Sequence, residues 1–226
     1  VKALKYHGGL GLKELGKENL DALKAGLRNL QRHLNNLQQE FGLRCVVAIN
    51  HFVNDTDAEI ALIQSAVKDM GAEAILARHW AKGGAGAEEL AQRVVDMLEQ
   101  DAEACEFLYA DELPLWDKIS SVAKRLYGAG QVVADKKVMD KISMLNEQHG
   151  DIPVCMAKTP YSFSSDANLR GVADGHTLTV RDVRLSHGAG FLVVLCGDVM
   201  TMPGLPKRPA AERIDIDDQG QITGLF

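Results

Sequence analysis

The sequence is poor in aromatic residues and has no apolar run long enough to cross a membrane. Aromatic residues make up 5% of its 226 residues, and no apolar segment approaches the ~18 residues that a membrane-spanning helix needs. The chain also lacks the basic segment and apolar stretch with which a secretion signal begins. We therefore expect a cytoplasmic protein with no membrane partner.

Paired cysteines and clusters of positive charge are also missing. The four cysteines, Cys45, Cys105, Cys155 and Cys196, form no C-x-x-C pair. Three of the four lie in or beside apolar strand-like runs. This pattern favours buried free thiols over disulfides or a metal site. The net charge is −6 and no Lys/Arg cluster stands out, which argues against a nucleic-acid partner.

The sequence contains no phosphate-binding loop of the form G-x-x-x-x-G-K-[ST]. Its most glycine-rich segment, 83–86, is not followed by the Lys-Ser/Thr pair that would reach phosphate and magnesium. The chain also begins at Val1, without an initiator methionine. We expect a fragment of a larger enzyme, and one that does not transfer the γ-phosphate of ATP by itself.

Hydrophobic periodicity predicts an α/β fold. Leucines spaced by three and four residues indicate an amphipathic helix over 17–40. Apolar strand-like runs then alternate with helical segments, which favours a mostly parallel sheet with helices on both faces. The predicted strands are 43–50, 74–77, 132–133 and 154–157, and the predicted helices are 58–70, 87–100, 115–127 and 136–149. Alternation over 177–185 and an apolar run over 190–196 add an antiparallel hairpin at the end of the sheet.

A loop rich in proline and glycine follows the last apolar run. Three prolines and two glycines lie between Gly197 and Pro209. Proline fixes φ and removes a backbone donor, so the loop should be stiff. Gly204, between Pro203 and Pro206, would let the chain turn tightly or approach a ligand closely. A plain connection between elements is the alternative interpretation.

Several segments of the sequence resemble segments found in one protein family. Residues 197–217 and 222–226 closely resemble the C-terminal end of formate–tetrahydrofolate ligases, and residues 1–9 resemble the second half of a family signature that carries Arg where Lys2 stands. Segments 46–50, 80–84 and 156–159 also match in order. The resemblance covers essentially the whole chain, and its collinear motifs make it specific.

The resemblance implies a reaction, and it also implies which substrates this chain would bind and which the rest of the protein would bind. Enzymes of this family join formate to tetrahydrofolate with ATP, through formyl phosphate. In proteins of this family the phosphate-binding loop lies in the N-terminal half of the sequence, so ATP and Mg²⁺ would be bound mainly outside this chain. Residues 1–40 would be the helical remnant of the nucleotide domain, and 41–226 the folate-binding domain. A monovalent cation is a further candidate cofactor, and we expect a homo-oligomer.

Ligands of α/β sheets bind beyond the carboxyl ends of strands, and two aromatic residues stand there. Phe52 and Trp80 occupy equivalent loop positions of successive βα units. Core or domain-interface packing is the alternative for both. The resemblance implies that a Phe and a Trp at these motif positions sandwich the pterin ring. Further substrate-binding candidates are Asn50 at the ring edge, the backbone near Leu76, Lys82 toward a glutamate tail or phosphate, and the loop residues Pro203 and Gly204.

Other polar groups permit alternatives. His51, His79 and Asp55 match no standard metal-binding spacing, so no metal ligand is predicted. The segment 158–162 has the composition of an anion site, although nothing in the sequence places a helix N-terminus there. No catalytic residue is assigned. A structural or oligomerisation domain without a ligand site is the rival interpretation of the chain.

Overall fold

The computed structural model describes residues 1–100, 104–199 and 207–224. Its helices are Lys2–His7 (α1), Leu20–Asn35 (α2), Asp57–Asp69 (α3), His79–Lys82 (α4), Glu88–Leu98 (α5), Leu115–Ser121 (α6) and Lys136–His149 (α7). Its strands are Val46–Asn50 (β1), Glu73–Ala77 (β2), Gln131–Ala134 (β3), Val154–Ala157 (β4), Thr177–Ser186 (β5), Phe191–Cys196 (β6), Asp215–Ile216 (β7) and Ile222–Thr223 (β8). Single π-helical turns, Asn36–Glu40 and Val122–Leu126, continue α2 and α6. No helix in these residues is long and apolar enough to cross a membrane.

The α/β fold and the C-terminal antiparallel hairpin are confirmed, but the single sheet was wrong. β1 and β2 form a parallel two-stranded sheet of their own, and a second sheet has the order β3-β5-β6-β4. β7 and β8 form a short antiparallel ribbon. Periodicity identifies a strand but does not say which strand it pairs with, so the βα alternation could not separate the two sheets.

The hairpin lies in the middle of the second sheet, whereas the sequence placed it at the end. β5 and β6 pair antiparallel in the centre, while β3 and β4 pair parallel with them at the edges. The central strands carry the best-buried side chains, which are Leu178, Val180, Val183, Leu192, Val194 and Cys196. Burial alternates along β5 and β6. In the described part, therefore, only one face of this sheet is fully buried, and the prediction of helices on both faces does not hold there.

All four cysteines are free, as predicted, but only Cys196 is fully buried. Cys155 is exposed although it lies inside an apolar strand-like run. It belongs to the edge strand β4, where its neighbours Val154 and Met156 pack against the core. Successive side chains on a strand point to opposite faces, so Cys155 takes the outer face. Cys105 precedes α6 outside any helix or strand and is exposed as well.

The central leucines of α2 are covered within this chain, whereas Leu20 at its start is 40% exposed. Leu23, Leu27 and Leu34 are at most 5% exposed and share a core with α3 and the β1–β2 sheet. The partners in that core are Ile49, Ile60, Ile63, Val67 and Ala74. Residues 1–40 therefore pack on the β1–β2 unit, and the domain boundary at residue 40 stays a prediction.

Candidate functional site

The carboxyl edge of the β1–β2 sheet brings the two predicted aromatic residues together. The strands are parallel and in register, with Asn50 opposite Ala77. The backbone N–H of His51 continues the pairing and donates to the carbonyl of Ala77 at 3.1 Å. Because the chain leaves both strands at the same edge, the two following loops lie side by side.

The rings of Phe52 and Trp80 form an open pair, in which both are exposed and lie next to each other. Their ring centroids are 6.5 Å apart, and their planes are tilted by 32°. A flat ring in van der Waals contact with two others needs roughly 7 Å between them, since carbon atoms pack at 3.5–4 Å. Phe52 is 40% exposed and Trp80 is 56% exposed. These are not core residues of this chain, and a small opening of the pair would admit a flat heterocycle.

Backbone contacts hold Trp80 in place. Its indole Nε1–H donates to the carbonyl of His51 at 2.8 Å, which ties the ring to the loop that carries Phe52. The loop around Trp80 closes where the N–H of Arg78 donates to the carbonyl of Gly86 at 2.8 Å. A Cβ at Gly86 would lie 2.4 Å from the carbonyl oxygen of Arg78. The loop can close this tightly only because residue 86 has no side chain.

A carboxylate and a lysine hold Phe52. Oδ2 of Asp55 accepts the backbone N–H of Phe52 at 2.9 Å, and the N–H of Asp55 donates to the carbonyl of Phe52 at 2.9 Å. The ammonium of Lys2 lies 4.9 Å from the Phe52 ring centroid, within the range of a cation–π contact. Oδ1 of Asp55 and Nε of Arg78 are buried without a partner among the described residues.

The remaining predicted residues surround this pair or lie beyond it. Asn50 is exposed at the end of β1, Leu76 is half-buried in β2, and Lys82 is exposed at the end of α4. Pro203 and Gly204 lie outside the described residues. The segment 158–162 follows β4 in the other sheet and lines a separate cavity.

Sequence reasoning missed two residues of the site. Lys2 was noted only as a departure from the family signature, although its ammonium contacts the Phe52 ring. Asp55 was considered as a metal ligand, but it accepts a backbone hydrogen bond and so shapes the loop. This role of Asp55 could have been predicted from the sequence, because Asp and Asn side chains often form hydrogen bonds with the nearby backbone in turns. Around the aromatic pair, the arrangement is suited to binding a flat ring.

Comparison with known proteins assigns the chain to a family. The family model for formate–tetrahydrofolate ligase matches residues 1–226. Proteins named formate–tetrahydrofolate ligase from Methylococcus capsulatus, Mesorhizobium japonicum and Rhizobium etli are 52%, 53% and 56% identical to it. Each alignment covers all of this chain, and the chain spans about 40% of the length of these relatives. The chain belongs to the formate–tetrahydrofolate ligase family.

Proposed function

We propose that the full-length protein is an ATP-dependent ligase that joins formate to tetrahydrofolate through formyl phosphate, giving 10-formyltetrahydrofolate. This chain would supply the folate platform. The observation that carries the proposal is the open Phe52–Trp80 pair, 6.5 Å between centroids, at the carboxyl edge of a parallel sheet in a chain of this family.

A pterin suits such a pair because it is flat and polarizable. An aromatic contact contributes about 0.5–1.5 kcal/mol beyond the area it buries. Stacking alone does not select a pterin, so polar groups must form hydrogen bonds with the edge of the ring. We assign this role to Asn50 and to the backbone near Leu76, which lie at the same end of the strands. Lys82, exposed at the end of α4, is proposed to meet the glutamate tail or a phosphate.

The proposed reaction needs parts that this sequence does not contain. The γ-phosphate of ATP would be transferred to formate, which leaves ADP. The folate amine would then attack the carbonyl of formyl phosphate and release inorganic phosphate and a proton. Because G-x-x-x-x-G-K-[ST] is absent from the 226 residues, we assign ATP and Mg²⁺ to the remainder of a longer protein. A monovalent cation, a homo-oligomer and a cytoplasmic location belong to the same proposal.

Holding the folate amine beside formyl phosphate would replace an encounter in solution by a positioned attack. Formyl phosphate is a mixed anhydride that water hydrolyses, so the site must exclude water while this intermediate is present. The stiff loop with Pro203 and Gly204 is proposed to cover the site. In this scheme the aromatic pair positions the folate and helps to exclude water from the site, and it transfers no proton.

The test is product formation by the full-length protein. Purified protein with formate, ATP, Mg²⁺ and tetrahydrofolate should yield 10-formyltetrahydrofolate, detected by chromatography, and leaving out any one component should abolish it. Product that forms without ATP would contradict the mechanism. Absence of product from folded protein, together with no binding of tetrahydrofolate in a calorimetric titration, would favour the rival, a structural or oligomerisation domain.

A further inference from the structure

A cavity lies between the helices α1 and α2 and the segment that follows β4. It has a volume of about 300 Å³, and its lining includes His7, Asn29, His33, Tyr127, Lys158 and Thr159. The first three come from α1 and α2, and the last two directly follow β4. No Asp or Glu is among its described lining residues. None of them belongs to the aromatic pair, so this cavity is a separate site.

Lys158 is a fixed cation that has no counter-ion among the described residues. Its ammonium donates to the carbonyl oxygens of Thr159 and Ser162 and lies 4.7 Å from the Tyr127 ring centroid. An ammonium has three N–H donors, so one remains that no described oxygen accepts. No carboxylate in the described part forms an ion pair with it. Burial lowers the pKa of Lys158 because the charged form loses solvation.

The other polar groups of the cavity can donate as well. Nδ1 of His7 accepts the N–H of Gly171 at 3.2 Å, so the neutral ring carries its proton on Nε2 and can donate there. Oγ1 of Thr159 accepts the N–H of Tyr161 at 3.3 Å, which leaves its hydroxyl hydrogen to donate.

His33 adds a further positive group when it is protonated. Its ring stacks on Phe163 with centroids 4.7 Å apart. Burial and the positive charges of His7 and Lys158 lower the pKa of His33. No Asp or Glu among the described lining residues compensates these groups.

We propose that this cavity binds an oxyanion, a carboxylate or a phosphate group, with Lys158 as its principal ligand. An anion there would accept from the remaining N–H of Lys158, from the Thr159 hydroxyl and from His7. It would also compensate a half-buried charge, which is costly when unpaired. The backbone carbonyls that hold Lys158 place its head before any ligand arrives, which reduces the entropy lost on binding.

Two sources of such an anion can be separated. α1 runs from the aromatic pair, where Lys2 contacts Phe52, to this cavity, where His7 lines the wall. One source is a carboxylate carried by a ligand of the aromatic pair, which α1 connects to the cavity. The other source is the phosphate group of a separate compound. Glutarate and inorganic phosphate are the probes for the two sources.

The experiment measures binding of both probes to the full-length protein by isothermal titration calorimetry. A saturating non-hydrolysable ATP analogue occupies any nucleotide site in the rest of the protein. Wild type is compared with Lys158→Met, Lys158→Arg and Thr159→Val. The matched control is Lys137→Met, which removes an equal charge from an exposed position on α7.

We expect Lys158→Met to weaken binding of the preferred probe about tenfold or more, because it loses a charge-assisted hydrogen bond. Lys158→Arg should recover part of the loss, and Lys137→Met should bind as the wild type does. Preference for glutarate assigns the carboxylate source, and preference for phosphate assigns the phosphate source. If Lys158→Met does not fold, Thr159→Val must show the weakening alone. Equal binding by wild type and the folded variants, or no binding of either probe, would overturn the proposal.

Discussion

The Nζ atom of Lys5 lies 2.8 Å from Oε1 of Glu59, and both side chains are almost completely buried. The ammonium also donates to the carbonyl of Lys17 at 2.8 Å, and Oε1 accepts the N–H of Asn19 at 3.1 Å. Glu59 completes a capping box with Thr56 at the start of α3. The pair thus joins α1 to the end of the loop that carries Phe52, and it fixes the base of the aromatic site.

Breaking this pair should strongly destabilise the protein. Removing one partner leaves a buried charge without compensation, which costs about 3–5 kcal/mol. We expect Lys5→Met and Glu59→Gln each to lower the urea midpoint of the full-length protein substantially. The double variant should lose less than the two single losses added together.

The exposed ion pair between Arg181 and Asp198 is the control, because Asp198 is fully exposed. Asp198→Asn should leave the midpoint nearly unchanged. If Lys5→Met and Glu59→Gln lower the urea midpoint no more than Asp198→Asn does, the buried pair does not support the structure.

The pH dependence of this contribution has a defined sign. Burial acts to raise the pKa of Glu59, but hydrogen bonds from Lys5, Asn19 and Thr56 outweigh it, so the pKa is lowered. A lowered folded-state pKa gives stability that is present above the unfolded value, about 4.3 for Glu, and is lost as the pH falls through the folded value. The gap in urea midpoint between wild type and Glu59→Gln should stay constant from pH 7 to 5 and narrow below about pH 4.3. A gap that already narrows between pH 7 and 5 would indicate a raised pKa instead.

The crossing of α1 and α2 tolerates no side chain at Gly26. A Cβ there would lie 1.8 Å from the carbonyl oxygen of Leu4, so α1 would have to move away, and Lys2 with it. We expect Gly26→Ala to lower the melting temperature by several degrees and to weaken folate binding. Gly188→Ala is the control, since a Cβ at Gly188 meets no atom of the described residues within 4 Å. Equal melting temperatures for the two variants would show that the crossing adjusts freely.

Gly86 tests the positioning of Trp80 separately from stability. A Cβ at residue 86 would lie 2.4 Å from the carbonyl oxygen of Arg78. A Cβ at Gly84, in the same loop, meets nothing within 4 Å in the part of the chain that the structure describes. We expect Gly86→Ala to raise the KM for tetrahydrofolate several-fold and Gly84→Ala to leave it unchanged. Steady-state kinetics with tetrahydrofolate as the varied substrate would measure both. Matching KM values would mean that the closure of this loop does not set the position of the ring.

The sequence predicted most elements because their patterns are local. The helix 136–149 matches α7 to the residue, and the proposed meeting of Phe52 and Trp80 follows from parallel strands whose loops leave one edge. Long-range pairings were not predictable. Lys5 and Glu59 are 54 positions apart, and neither has a neighbour in sequence that signals a buried ion pair. The position of β5 and β6 in the sheet is likewise decided by competition among strands for burial, which periodicity does not record.

The site was predicted unevenly for the same reason. Phe52 and Trp80 carried a signal because aromatic residues are scarce and both follow strands. Lys2 contacts Phe52 only through the packing of α1, and the cavity around Lys158 exists only because α1 and α2 pack beside the segment that follows β4. Segment 158–162 had the composition of an anion site, but its partners His7 and His33 come from helices more than 120 residues earlier in the chain.

The most direct test of the folate platform compares Trp80→Ala and Phe52→Ala with wild type in the full-length protein, by measuring KM for tetrahydrofolate and for formate. Loss of one stacked face should cost about 1–3 kcal/mol, or roughly tenfold to a hundredfold in folate affinity, with much less change for formate. Trp80→Phe should recover much of the loss. Phe107→Ala, which removes an aromatic ring that is 90% exposed away from the site, is the control. A Trp80→Ala protein with a normal melting temperature and an unchanged KM for tetrahydrofolate would contradict the account.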